Sequence, residues 1–338
     1  MQKENGPFVS VLMCVYNGEQ YLAEAISSVL SQSHRNFEFV IINDGSTDKT
    51  ESIILSFEDE RIRYVKNENN LKLIPSLNKG LSLVKGKYIV RMDADDICLP
   101  HRIEEQVDFL ERHPDAGVVG CFVTTLDQEN ERVIKFKTQP DEIKFKLFFN
   151  NHVFHPTVVI RTSLMRDFGF KYENYLHAED YQLWIRISRV SNIYIIPKVF
   201  LKYRIHGNNI SVKNSDFQFD VSKTLRLQQI NELGLKLKER EIQIYESWLS
   251  GNEKFANKDY AILMKLFDNL ISKNKEIKIF NLDLFSSYFL EKAWEIACKN
   301  VSNGCQTYKV YLSSQNFKLR WDLRFKFLMK CFLRIKKV

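Results

Sequence analysis

The chain is poor in the residues that interrupt folded structure. Seven prolines and twelve glycines in 338 residues leave no room for a collagen-like segment, a low-complexity tract or a long flexible linker. No window approaches the roughly 20 consecutive apolar residues of a membrane-spanning helix. In the N-terminal stretch MQKENGPFVSVLMCVYNG the apolar run extends only from Phe8 to Val15 and then turns polar, which is not the pattern of a signal peptide. The six cysteines, at 14, 98, 121, 298, 305 and 331, include no CxxC pair and no regular spacing. A disulfide framework or a zinc knuckle is therefore not expected; reduced, mostly buried thiols in a cytoplasmic protein are. No internal repeat occurs.

Net charge is also missing from most of the chain. Residues 317–338 carry eight Lys/Arg and one Asp, a balance of +7, which equals the +7 of the whole chain. The preceding 316 residues are neutral in sum and give no reason to expect nucleic-acid binding.

What is present is an alternation of two periodicities. FVSVLMCV (8–15), FEFVII (37–42), IRYVKN (62–67) and YIVRM (88–92) read as strands, the first two and the last as continuous apolar runs that would be buried on both faces. Helical spacing separates them in NGEQYLAEAISSVLSQ, NDGSTDKTESIILSF and IPSLNKGLSLVKG, with Asn17/Gln20 and Asp48/Glu51 as candidate capping pairs. Strand–helix alternation implies right-handed crossovers and a mostly parallel sheet in an α/β domain. Ligands of such sheets bind beyond the carboxyl ends of the strands. Three polar turns fall there: Tyr16-Asn17, Asn43-Asp44-Gly45 and Asp93 to Asp96. Further strands are expected in AGVVGCFVTTLD, ERVIKFKT, HPTVVIR and IYIIPKVFLKYRIH, and a helix in HAEDYQLWIRISR. From about residue 212 the pattern is helical throughout. A catalytic domain over 1–212, a helical region over 213–316 and a basic amphipathic tail over 317–338 follow.

The stretch YIVRMDADDICLP places Asp93, Asp95 and Asp96 at the end of a buried strand. Carboxylates so close together are costly without a positive partner. An acid-x-acid (DXD) spacing can hold Mg²⁺ or Mn²⁺ and leave coordination positions for diphosphate oxygens. A lone DxD is more often a solvated turn; the strand end and the two neighbouring polar turns favour the metal.

The segments VSVLMCVYNGEQYLAEAISSVLSQ, FEFVIINDGSTDKT, NLKLIPSLNKGL, GKYIVRMDADDICLPHRIEEQVDFL, HPTVVIR and HAEDYQLW, in that order, resemble family 2 glycosyltransferases of the GT-A (Rossmann-like) fold over about residues 8–212. The resemblance implies inverting transfer from a nucleotide-diphosphate sugar, most simply a UDP-sugar, with Mn²⁺ or Mg²⁺. It gives Asp44 to the uracil ring, Tyr16 and Asn17 to the first nucleotide-contacting turn, Asp93 to the ribose or donor sugar, Asp95 to the metal and Asp96 to a sugar or supporting contact. Asp180 matches the general base, with Glu179 beside it to orient the acceptor. Arg102 and Arg204 match basic residues near the leaving diphosphate, His206 a metal contact and His155 the acceptor side. Each has a plainer reading. Asp44 could cap its own turn, Asn17 its helix, and Arg102 could pair with Glu105 at i,i+3. Glu179 and Asp180 suit any helix N-terminus, and the two histidines could be structural.

The chain departs from the pattern at three places. Cys14 stands where many relatives have Pro, Lys72 where they usually have Gly, and Ser76-Leu77 where many have Ala-Arg. If an Arg there normally meets a donor phosphate, another cation must do so in this chain.

On a helical wheel Trp321, Phe325, Leu328, Phe332 and Ile335 form one stripe, with Lys326, Lys330, Arg334 and Lys337 largely opposite. Such a helix suits an anionic bilayer surface; packing on the protein body or in a homodimer is the alternative. The reading that results is a glycosyltransferase that is peripheral at the inner face of the cell membrane. It would extend a lipid-linked bacterial surface glycan in capsule or lipopolysaccharide (polysaccharide) biosynthesis. A sugar-nucleotide nucleotidyltransferase would need a cationic Gly-rich loop after the first strand, where YNGEQYL has no cation. A non-catalytic scaffold with the same fold would not need Asp93, Asp95 and Asp180 together.

Overall fold

The structure is a computed structural model that describes residues 6–126, 131–206, 215–314, 316–317 and 321–333. The apolar runs become strands wherever helices can cover them. In chain order the elements are β1 (Val9–Val15), α1 (Leu22–Leu30), β2 (Phe37–Asn43), α2 (Thr50–Leu55), β3 (Ile62–Lys66), α3 (Leu73–Leu83) and β4 (Tyr88–Met92). They continue with β5 (Ile97–Cys98), α4 (Arg102–Arg112), β6 (Ala116–Leu126), β7 (Val133–Ile134), α5 (Pro140–Lys146), β8 (Val159–Arg161), α6 (Thr162–Asp167), α7 (Glu179–Ile187) and β9 (Asn192–Arg204).

One nine-stranded sheet results, in the order β3-β2-β1-β4-β8-β6-β9-β5, with β7 paired to β6. The block β3-β2-β1-β4 is wholly parallel, with Val9 in register with both Phe37 and Tyr88. Beyond β4 the sheet is mixed: β8 runs antiparallel to β4 and β6, whereas β6 and β9 run parallel. The parallel block is the part that strand–helix periodicity exposes; the rest depends on long connections that periodicity does not reveal.

β1 shows why both strand faces are apolar. Val11 and Met13 join a core with Leu22, Ala25, Ile26 and Val29 of α1. Leu12 points the other way, onto α3, where a Cβ at Gly80 would lie 2.3 Å from its Cδ1. The sheet's far end is closed by a polar network: Gly86 N–H donates to Ser10 Oγ (2.8 Å), and Lys85 N–H to Glu38 Oε1 (2.7 Å).

The chain divides into two compact units, Met1–Ser222 and Lys223–Val338. The division falls inside α8 (Ser215–Glu232), not at the change of pattern near residue 212. The second unit continues with α9 (Glu239–Leu249), α10 (Asn257–Ile277), α11 (Leu282–Lys299), α12 (Cys305–Leu312) and α13 (Trp321–Leu333). Its core is aromatic: Trp248 and Phe267 have ring centroids 4.7 Å apart, and Phe285 and Phe289 4.9 Å. A buried two-pronged ion pair joins Arg226 to Glu246.

Where its side chains are described, the tail helix α13 turns inward residues that lie off its apolar stripe. Phe327 is buried against Trp294, Tyr308 and Tyr311, at centroid distances of 5.1, 5.7 and 5.6 Å, and Cys331 is buried one turn later. Phe332, from the stripe, remains 69% exposed. Ile335, Arg334 and Lys337, and the side chains of Trp321 and Phe325, lie outside the described residues. Among the described residues no helix is long and apolar enough to cross a membrane.

Candidate active site

The three polar turns converge. The carboxyl ends of β1, β2 and β4 open into a cavity of about 860 Å³, which Tyr16, Asn17, Asp44, Arg91, Asp93, Asp95, Asn151, His155, Glu179, Asp180 and His206 help to line. Residues from four separate stretches of the first unit thus share one crevice.

Its rim is braced by two loops that bond each other. Asn17, at φ 50°, accepts Thr47 N–H at its Oδ1 (2.9 Å) and gives its own N–H to Ser46 Oγ (3.0 Å). Glu19 N–H donates to Asp48 Oδ2, and Lys49 N–H to Glu19 Oε2, both at 3.0 Å. The expected capping pair Asn17/Gln20 does not form: α1 begins at Leu22 with no side-chain cap, and Asn17 is committed to the second loop. Asp48 does turn back on its own segment, accepting Thr50 N–H (2.9 Å).

Asp44 is nearly buried. Its Oδ1 accepts Asn67 Nδ2–H (2.8 Å) and Leu71 N–H (2.9 Å), and its Oδ2 meets no protein donor among the described residues. The turn must be tight: Gly45 has φ 69°, and a Cβ there would lie 2.7 Å from the carbonyl carbon of Asn69. Only glycine tolerates both conditions. One carboxylate oxygen is thereby fixed.

The acidic triplet sits on the β4 side. Ligand atoms of Asp93, Asp95 and Asp96 lie within 4.8 Å of one another. Asp93 is ion-paired to the buried Arg91, whose Nε has no protein partner. Burial opposes the charge on Arg91, and Asp93 more than offsets this, so its pKa is raised. Asp95 accepts or shares a proton with His206 Nε2 at 3.0 Å; burial and then repulsion from Asp93 push its carboxyl up. Asp96 is driven well above the usual range by burial and by both neighbours. Its Oδ1 accepts Arg204 N–H (2.9 Å), but its buried Oδ2 has no partner. Crowded carboxylates with an orphaned buried oxygen are a donor set suited to a hard divalent cation, and these residues fit one.

The first turn of α7 lines the same cavity as Asp93 and Asp95. Asp180 Oδ2 accepts Asn151 Nδ2–H (2.7 Å), and its Oδ1 accepts Tyr181 N–H (2.7 Å). Burial raises Asp180 to about 6, with Asn151 opposing. Burial and the Asp180 charge raise Glu179 to about 7.

Comparison with known proteins identifies the family. Residues 10–168 match the model of "Glycosyl transferase family 2". An uncharacterized glycosyltransferase of Haemophilus influenzae is 35% identical over 252 residues, covering 70% of this chain and 78% of its own. The chain belongs to glycosyltransferase family 2. This family 2 chain is also similar to the putative glycosyltransferase EpsE of Bacillus subtilis, at 32% identity over 67% of the chain and 82% of EpsE. It resembles WfgD of Escherichia coli, a UDP-Glc:alpha-D-GlcNAc-diphosphoundecaprenol beta-1,3-glucosyltransferase, at 32% identity over 60% of the chain and 79% of WfgD. Among solved structures, S. aureus TarS 1-349 in complex with UDP-GlcNAc superposes with a TM-score of 0.56 at 16% identity. That match covers 95% of this chain and 90% of TarS 1-349, and it shows a common GT-A fold.

Not every expected residue of this glycosyltransferase reaches the cavity. Arg102 does not: its side chain is fully buried, donating to Arg91 O (3.0 Å) and Gln106 Oε1 (3.0 Å). Two residues after Pro100, at the start of α4, it turns inward onto the backbone of β4 instead of into the cavity. Arg204 also points elsewhere. Its Nε donates to Asp95 O (2.8 Å), its guanidinium lies 4.4 Å over the Tyr21 ring, and it is ion-paired to Glu24. Asp96 is only 1% exposed and faces the cavity through its neighbours alone. His155 lines the cavity, but its ring is buried and its Nε2 is joined to the Tyr172 hydroxyl at 2.7 Å. Burial, then Arg91, holds it well below its usual pKa and therefore neutral.

Two contributors were not legible as such. Asn151 lies 29 residues before the carboxylate it orients in a loop with no motif of its own. Arg91 reads as a strand residue, and nothing in its neighbours announces that it anchors Asp93.

Proposed function

We propose that this glycosyltransferase moves a sugar from a UDP-sugar to a hydroxyl of a lipid-linked glycan with inversion, using a divalent metal. The observation that carries this reading is a single cavity lined by Asp93 and Asp95 of the acidic triplet and by Asp180. Asp93, Asp95 and Asp96, with His206, would hold Mn²⁺ or Mg²⁺, which when bound neutralises charge on a leaving diphosphate. The remaining steps belong to the chain. Asp44 Oδ2 receives the base N–H while Asn67 and Leu71 hold its Oδ1. Tyr16 and Asn17 border the nucleotide. Asp180, ionised and fixed by Asn151, takes the proton of the acceptor hydroxyl. Attack from the face opposite the diphosphate inverts the anomeric centre without a covalent enzyme intermediate, by the face logic of two-carboxylate sugar chemistry. Glu179, protonated more readily than Asp180, donates to or orients the acceptor.

The activity of the relative WfgD, with a UDP-sugar donor and a diphospholipid acceptor, supports both substrate classes. The test is release of UDP from a panel of UDP-sugars with Mn²⁺. Slow donor hydrolysis that is lost on chelation is expected; release that is indifferent to EDTA would sink the metal-dependent reading.

The same reading places the enzyme at the inner face of the cell membrane. The outward Phe332 of α13, in a segment with eight Lys/Arg and one Asp, supports docking on anionic lipid. We expect co-flotation with vesicles containing phosphatidylglycerol. The change Phe332→Ser should weaken it several-fold at unchanged Tm, because that side chain packs on little. Equal flotation of the two proteins would refute a role for this face.

A further inference from the structure

Lys72 has φ 76° and ψ 169°. That region of backbone space is essentially glycine's own, and a residue with a Cβ is strained there. Strain of this kind persists where something outweighs it. The side chain is exposed and lines the cavity, and its ammonium has no hydrogen bond or ion pair among the described residues. It follows directly on the 67–71 loop, which holds Asp44 through Asn67 and Leu71.

Among the described residues, the arginines near the cavity and Lys79 are committed. Arg91 is ion-paired to Asp93. Arg204 bonds Asp95 O and Glu24, and Arg102 bonds Arg91 O and Gln106. Lys79 Nζ donates to Asn67 Oδ1 (2.6 Å). The position where an Arg would meet a phosphate is the fully buried Leu77. Against these stand Asp44, Asp93, Asp95, Glu179 and Asp180, all lining the same cavity. An anionic donor needs positive charge there beyond a metal, and a lysine ammonium is a compact point charge suited to phosphate oxygens.

We propose that Lys72 is a donor-binding residue whose ammonium contacts the diphosphate of the nucleotide sugar, and that its strained backbone persists because of this contact. The proposal rests on the nucleotide-sugar reading above and adds to it the residue that replaces the missing arginine.

The test measures binding of UDP and of uridine, each with Mn²⁺, to wild type, Lys72→Gly, Lys72→Met and Lys72→Arg, together with the ligand-free Tm. Lys72→Gly should raise Tm by about 2–4 °C by relieving the strain while weakening UDP roughly 10-fold to 100-fold. Lys72→Met should lose the same affinity without the gain in Tm, and Lys72→Arg should keep most of it. Uridine binding should not change. Unaltered UDP affinity in the Gly and Met variants overturns the proposal and leaves the nucleotide-sugar reading intact. Equal loss for uridine and UDP overturns it by moving the contact to the base or ribose. Wild type that binds neither ligand overturns the uridine-donor reading, and this proposal with it.

Discussion

Replacing Asp180 by Asn is expected to lower kcat for sugar transfer by about 10²–10⁴-fold, the usual contribution of a positioned general base, with little change in donor affinity. The amide keeps the shape of the carboxylate and loses only its capacity to take a proton. The wild-type pH profile should carry the same signature. Asp180 is raised to about 6 and Glu179 to about 7, so the pair titrates as a unit and kcat should climb as pH rises through 6–7. The sign for stability is the reverse. Both folded pKa values lie above those of the unfolded chain, so the folded state binds more protons. The stabilisation is fully present below about pH 4 and is lost as pH rises through 6–7. Asp180→Asn should therefore be the more stable protein at pH 8, by about 3 kcal/mol at most for a shift from 3.8 to about 6. The two proteins should converge near pH 4. A variant that turns over as fast as wild type, or one less stable at pH 8, would remove Asp180 from its role. Parallel kinetics and melting curves across pH 4–9 decide both points.

How far the sequence discloses this site depends on what each residue leans on. Asp44, Asp93 and Asp180 sit at the ends of elements whose periodicity is plain, β2, β4 and α7, so their placement beyond the sheet follows from the pattern itself. The parallel half of the sheet is legible for the same reason: its strands are short apolar runs between amphipathic helices. Legibility fails where a role depends on side-chain direction. Arg102 and Arg204 are correctly near the triplet in space, yet one guanidinium turns under the sheet and the other lies over Tyr21; spacing alone cannot tell these directions from a donor contact. Asn151 is invisible because its partner is fixed by tertiary folding. The tail helix shows the same limit. At its described residues the inward face is chosen by the cleft among Trp294, Tyr308 and Tyr311, which accepts Phe327, a residue off the main stripe of the wheel.

Asp95→Asn is expected to have the largest effect on donor use, a loss of at least about 10³ in kcat/KM if the triplet holds the metal that neutralises the diphosphate. The apo protein should respond in the opposite direction. Asp95 is held above the normal carboxylate range by burial and by Asp93, and Asp96 is raised further by burial and by both neighbours. Removing one of three charges relieves that repulsion, so the ligand-free variant should melt at or above the wild-type temperature. Its stabilisation by Mn²⁺ plus UDP should shrink toward zero, because a ligand raises Tm only in proportion to its preference for the folded state. His206 sharpens the comparison. Its Nε2 lies 3.0 Å from Asp95 Oδ2, so His206→Ala should weaken the Mn²⁺ response less than Asp95→Asn does, since the carboxylates carry most of the charge a hard cation requires. Titration of Mn²⁺ against the three proteins, with and without UDP, separates the outcomes. If Asp95→Asn keeps a wild-type Mn²⁺ response, the triplet is an acidic turn and the diphosphate is held by protein cations alone.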